Sequence, residues 1–283
     1  MPVVIVTDSS SRLPAPLAER YGVLTVPLHV TMPDGTEYLE GVDPIPDDVV
    51  ATQGVTTSGA NKQELTTVYR TAIEQSQGDG VVAVHLSRRL SSTWANARMA
   101  AEEIGDELRV VDSRSVGAGV GLTVLAAAQA AGDGDDRDAV YEAAIRAAAT
   151  GESLMALQTL ENLRHSGRIG AASHLFASAL SIKPILHIAD GVLQLKERQR
   201  TMTKAVKRMV DTAVEEAGTD PVTIAVQHCQ APELAADVHR TLRTQVPRVT
   251  SSMIVDLGAV LGAHVGKGAV GVTLGRGLEP LDQ

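Results

Sequence analysis

Aromatic side chains are nearly missing: they make up 2% of the 283 residues, with one Trp and one Phe. A core or pocket must therefore be built from aliphatic and small side chains. With so few rings to stack on bases, single-stranded nucleic acid is a poor ligand. Positive charge is in deficit as well, at a formal net charge of -9, which disfavours a general nucleic-acid or anionic-membrane surface. A single cysteine, Cys229, excludes an internal disulfide and cannot alone make a structural zinc site. No apolar run approaches the ~20 residues of a membrane helix. Met1 to Asp8 leads straight into a strand, with no basic leader. The expectation is a cytoplasmic protein without stable membrane insertion. Also absent are a Gly-x-x-x-x-Gly-Lys-Ser/Thr phosphate loop and a Gly-x-Ser-x-Gly nucleophile elbow. The eight histidines show no paired ligand spacing, so neither a metal nor a cofactor is expected.

What is present reads as a folded chain, 44% hydrophobic and 21% charged. The first half alternates extended and helical patterns. Strands are expected at Val3–Val6, Val23–Val30, Val81–Leu86 and Leu108–Val111. Helices are expected after Pro14, from Asn61 to Gln77, from Thr93 to Ile104, at Val116–Ala131 and at Ala139–Thr150. Gly41–Gly54 reads as an irregular surface loop. Such alternation implies a mainly parallel sheet covered by helices, with ligands at the carboxyl ends of its strands. After Gly151 the pattern changes. Leu154–Leu157 is extended, while Leu160–Ser166 and Ala171–Ile182 are helical. Pro184–Ala189, Asp190-Gly191 and Val192–Lys196 form a hairpin signal. Helices at Thr201–Ala217 and Pro232–Gln245 alternate with strands at Val222–Gln227 and Thr250–Val255. A glycine-rich loop, Gly258–Gly268, precedes a last strand, Ala269–Leu274. The fold class is thus α/β in two domains, residues 1–150 and 151–283, the second with a mixed sheet and a hairpin.

The stretch Val81–Ala97 carries the clearest site signal. A buried strand breaks into Ser87, Ser91, Ser92 and Thr93 and then feeds a helix, which makes a small anion site unless Ser91 or Ser92 only caps the helix. Thr7-Asp8-Ser9 and Asp112-Ser113 end other strands the same way. Gly266-Lys267-Gly268-Ala269-Val270-Gly271 matches a dinucleotide fingerprint as a string, but a strand follows it instead of a helix. His264 lies among glycines that let a backbone approach a ligand; equally, it can be a histidine bonded to a loop carbonyl. From Arg164 to Arg208 nine cations face two acids, a net +7. That window is either a solvated basic face or a docking patch for an anion.

Together these segments resemble the DegV family of bacterial fatty-acid-binding proteins. The resemblance is carried by Val6-Thr7-Asp8-Ser9-Ser10, Thr57-Ser58, Leu86-Ser87-x-x-Leu90-Ser91-x-Thr93 and Val111-Asp112-Ser113. It continues through Leu160-Glu161-x-Leu163, Gly167-Arg168-Ile169, Lys183-Pro184-Ile185-Leu186, Arg200-Thr201 and Gly262-x-His264-x-Gly266-x-Gly268. It implies two α/β domains with one long-chain fatty acid between them. The carboxylate would be bonded by Thr57 and Ser91, with Ser58, Ser92, Thr93, Gly262 and Gly266 around it and His264 near the head group. The resemblance also implies a separate fatty acid kinase that makes acyl-phosphate, with Arg168 and Arg200 on the surface it meets. Ala60, Asn61, Ser92, Trp94, Ala259 and Lys267 depart from the family's usual residues; they bear on loop rigidity, while the hydroxyls are kept. About 14 buried methylenes at ~0.8 kcal/mol each give roughly 11 kcal/mol gross, against ~1.5–3 kcal/mol per charge-assisted hydrogen bond. The acyl chain supplies affinity and the hydroxyls supply orientation. Arg88 and Arg89 are a rival carboxylate clamp. Two rival functions remain: an enzyme with His264 as acid/base oriented by Asp8 or Asp112, and a lipid sensor without a kinase.

Overall fold

The computed structural model describes residues 3–169 and 182–281. The first half runs β1 (Val4–Asp8), α1 (Ala15–Arg20), β2 (Leu24–Val26), β3 (His29–Thr31), β4 (Glu37–Leu39), β5 (Thr56–Ser58), α2 (Lys62–Ser76), β6 (Val81–His85), α3 (Thr93–Ile104), β7 (Leu108–Asp112), α4 (Ala118–Gly132) and α5 (Arg137–Thr150). The second half runs β8 (Glu152–Ala156), α6 (Glu161–His165), β9 (Lys183–Ala189), β10 (Val192–Gln199), α7 (Met202–Ala217), β11 (Val222–His228), α8 (Pro232–Gln245), β12 (Val249–Asp256), α9 (Gly258–Val265) and β13 (Val270–Arg276).

The expected α/β class holds. Strands β2-β1-β6-β7 form a sheet that is parallel throughout. Every residue of β6 is buried, as a parallel strand covered on both faces requires. Strands β10-β9-β8-β13-β11-β12 form a mixed six-stranded sheet. The hairpin forms as read, since Asp190 (φ 51°) and Gly191 (φ 76°) both take the positive dihedrals of a two-residue turn. Asn61 and Glu64 complete a capping box at α2, and Asp136 and Thr201 cap α5 and α7. Helix α4 lies between the two sheets and is buried on nearly every side. Its small residues allow this: a Cβ on Gly121 would lie 2.6 Å from the Ser11 carbonyl.

Two local expectations fail, and a third is untested. Val23–Val30 is not one extended run. It splits at Pro27 into β2, in the parallel sheet, and β3, which joins β4 and β5 in a separate sheet of order β4-β3-β5. Gly258–Gly268 is not a loop, because residues 258–265 are helical. Gly258, Gly262 and Gly266 fall four apart, and the bare face at Gly262 packs on Val50 and Cys229. The helix expected at Ala171–Ile182 lies outside the described residues. Both edges of the mixed sheet carry an extra residue, Lys196 in β10 and Thr250 in β12. Among the described residues no helix is long and apolar enough to cross a membrane.

Candidate functional site

Three stretches far apart in the chain meet in one corner. Strand β5 pairs with β3, setting Thr57 opposite Val30. The loop after β6 brings Ser91, whose Oγ lies 2.9 Å from Thr93 Oγ1 and accepts the Thr93 N–H at 3.2 Å. Gly59 lets these two meet: a Cβ there would lie 2.4 Å from Thr93 Oγ1 and 2.8 Å from Ser91 Oγ. Helix α9 brings His264, whose Nε2 lies 2.7 Å from Thr57 Oγ1. His264 Nδ1 is buried and has no hydrogen-bond partner among the described residues. Burial, then the nearby Arg168 cation, pushes the imidazole down to about 4, so it is neutral near pH 7.

Thr57, Ser58, Ser91, His264 and Arg168 border one slot. Its remaining walls are mostly aliphatic: Leu28, Leu86, Leu90 and Val116 from the first half, with Met155, Leu163, Leu193, Leu257, Val260, Leu261 and Val265 from the second. About 80 Å³ of it is wide enough for water, well under the ~300 Å³ of a usual small-molecule site, so a long ligand has to part the walls. Gln227 also lines the slot. Its amide is spent, accepting from Ala118 N–H at 3.1 Å and donating to Thr273 Oγ1 at 3.4 Å. A second cavity of about 480 Å³ shares Thr57, Arg168 and His264 and is otherwise lined by groups such as Thr56, Asn162, His165 and Ser166. Val49, Val50, Val55 and Ala263 complete its wall, so Thr57, Arg168 and His264 stand between a greasy slot and a cavity of mixed lining.

Other expected site residues lie elsewhere. Ser92 is the residue before α3 and makes no side-chain cap bond. Thr93 is fully buried behind Ser91. Gly262 faces Val50 and Cys229, and Gly266 ends α9 beside Asn162. Arg200 is exposed between β10 and α7 and borders none of these cavities. The clamp of Arg88 and Arg89 does not form: Arg88 pairs with Asp112 and lies over Trp94, while Arg89 donates to the Asp190 carbonyl. Neither acid offered as orienter touches His264. Asp8 serves His85, Leu86 N–H and Ser10, and Asp112 serves Arg88 and Arg114 N–H. Three of the nine cations in the basic window are paired: Lys196 with Glu216 and Lys207 with Asp211, both acids just beyond it, and Arg208 with Glu197 inside it and Glu215 beyond it. Sequence reasoning missed Glu40, a buried carboxylate bonded to the first turn of α9; nothing in Tyr38-Leu39-Glu40-Gly41 marks it.

Residues 2–276 match the family profile described as "Uncharacterised protein, DegV family". A DegV domain-containing protein of Mycobacterium tuberculosis is 44% identical over 280 residues, 99% of each chain. Among solved structures, a DegV family protein from Corynebacterium glutamicum superposes with a TM-score of 0.87 at 32% identity, covering 99% of both chains. One from Thermus thermophilus, described for its fatty acid binding, gives 0.91 at 29% identity over 98% of this chain and 100% of its own. The chain belongs to the DegV family.

Proposed function

We propose that this DegV-family chain holds one long-chain fatty acid in the slot, its carboxylate at Thr57, Ser58, Ser91 and His264. We further propose that it presents that carboxylate to a separate fatty acid kinase for acyl-phosphate formation. The observation that carries the first part is convergence: hydroxyls from β5 and the β6–α3 loop meet an imidazole from α9 at the mouth of one aliphatic slot. The described fatty acid binding of the Thermus relative supports it. The carrier itself needs no catalytic residue and works in the cytoplasm, beside an ATP-dependent partner. That partner would meet the second cavity, where Arg168 borders both cavities, and the exposed Arg200.

Mass spectrometry of lipid extracted from protein made in bacteria tests the binding; a folded protein that retains no fatty acid sinks it. Arg200→Ala should keep the lipid and slow phosphorylation by the kinase. Loss of lipid in that variant would break the division of roles.

One observation favours a hydrolase instead: the 2.7 Å pairing of Thr57 hydroxyl and His264 imidazole resembles a nucleophile and its base. With burial holding it near 4, the imidazole is a weak base near neutrality, and among the described residues no carboxylate orients its Nδ1. Turnover of an acyl ester or acyl-phosphate by the protein alone would promote this reading. A lipid sensor is the outcome if no kinase uses the loaded protein.

A further inference from the structure

Helix α9 carries His264 and much of the slot wall, and its first turn is held from outside by one carboxylate. Glu40 follows β4 and is 5% exposed. Its Oε1 accepts the Val260 N–H at 3.0 Å, and its Oε2 accepts the Ser9 hydroxyl at 2.8 Å. Arg12 Nη1 lies 3.5 Å from Oε1, and Arg12 Nε donates to the Asp256 carbonyl at 2.7 Å, where β12 ends. The turn into α9 is left bare to admit this pair. Gly258 has φ 71°, and a Cβ on it would lie 2.4 Å from Glu40 Oε1 and 2.6 Å from Arg12 Nη1. Backbone bonds tie Glu40 to the Thr57 strand as well: Glu40 N–H donates to the Leu28 carbonyl at 2.9 Å, and β3, just beyond, pairs with β5. The strand with Thr57 and the helix with His264 are therefore both registered on Glu40.

We infer that Glu40, with Arg12 as counter-ion, is the positioning residue of the head-group corner. It fixes α9 against β5 so that His264 meets Thr57. An apolar side chain could fill the same space, and burying a carboxylate is unfavourable without partners. What the carboxylate adds is direction, since its two oxygens aim at a hydroxyl in one half of the chain and an amide in the other. The inference rests on the carboxylate site proposed above and deepens it.

The test compares oleate with oleyl alcohol, the same chain without the acid, on wild type and Glu40→Gln. Wild type should prefer oleate. Glu40→Gln should weaken oleate roughly tenfold, the size of one charge-assisted bond, and leave the alcohol nearly unchanged. A folded variant that keeps the wild-type preference overturns the inference. A parallel readout needs no ligand: in ring-nitrogen NMR, Glu40→Gln should lose the His264–Thr57 signature and let His264 titrate nearer the ordinary histidine range. Unchanged His264 signals overturn it too. If wild type shows no preference for the acid, the head-group reading fails while the NMR comparison still decides Glu40. Should Glu40→Gln not fold, Arg12→Met leaves the carboxylate in place without its cation and is read the same way, with smaller shifts expected.

Discussion

Two polar clusters sit within this molecule, one closed and one open. In the closed cluster Asp8, His85 and Tyr69 are all 0% exposed. Burial, then the Asp8 charge, raises the Tyr69 phenol well above its usual range, so it stays protonated and donates to His85 Nε2 at 2.7 Å. His85 passes its Nδ1–H to Asp8 at 2.9 Å, and Asp8 also takes the Leu86 N–H and bonds from Ser10. In the open cluster Thr57 and His264 satisfy each other on one side only, and a buried ring nitrogen is left over. Both contain a histidine and a hydroxyl, so composition does not tell them apart. What separates them is unspent hydrogen-bonding capacity. In the closed cluster the histidine has both ring nitrogens partnered; in the open one, where a ligand is proposed, one is left without a partner among the described residues.

The contrast can be broken by removing either cluster. Asp8→Ala should give the largest effect: it strands the His85 Nδ1–H, the Leu86 N–H and the Ser10 donors together, at about 1–3 kcal/mol for each buried donor left unpaired, read by urea unfolding. A loss under ~1 kcal/mol would mean the closed cluster is not structural. Next comes pH. The folded His264 sits at about 4 against 6.5 unfolded, so as pH falls through that window the unfolded chain takes up the proton first. Stability should drop with falling pH by roughly 3 kcal/mol in all, and His264→Gln should lose that component. Thr57→Ala and Ser91→Ala should each weaken oleate by about 1.5–3 kcal/mol, with a loss of stability no larger than the ~1–3 kcal/mol of one stranded buried group. If either unfolds the protein instead, the open cluster is structural too. Arg88→Ala should be smallest, within ~0.5 kcal/mol for stability, because its partner pairing faces solvent, and it should leave oleate binding alone.

Much of the architecture could be read in advance because its signals are local. Asn61 with Glu64, Asp190-Gly191 and the apolar run Val81–Val84 each specify their element within a few residues. Helix α9 was hidden for the opposite reason. Four glycines in eleven residues argue for a loop on propensity, and only packing against Val50 and Cys229 makes the four-residue spacing useful. Strand β4, three residues long, is held by pairing with β3 rather than by any pattern of its own. The meeting of Thr57, Ser91 and His264 is tertiary, and no spacing encodes it; resemblance to a family pointed there. The charge count of the basic window depends on where it closes: carried past Arg208 over the next two turns of α7 it takes in Asp211, Glu215 and Glu216, which pair with Lys207, Arg208 and Lys196.

Lys196, Thr250 and Arg12 have a joint consequence for how this protein behaves in crowded company. Outermost strands offer unused amides to any passing chain and can seed growth into aggregates. Here the extra residue at Lys196 distorts one outer strand, while the extra residue at Thr250 distorts the start of the other and Arg12 occupies the carbonyl at its finish. A six-stranded sheet so blunted at both rims should resist strand swapping when the protein is abundant.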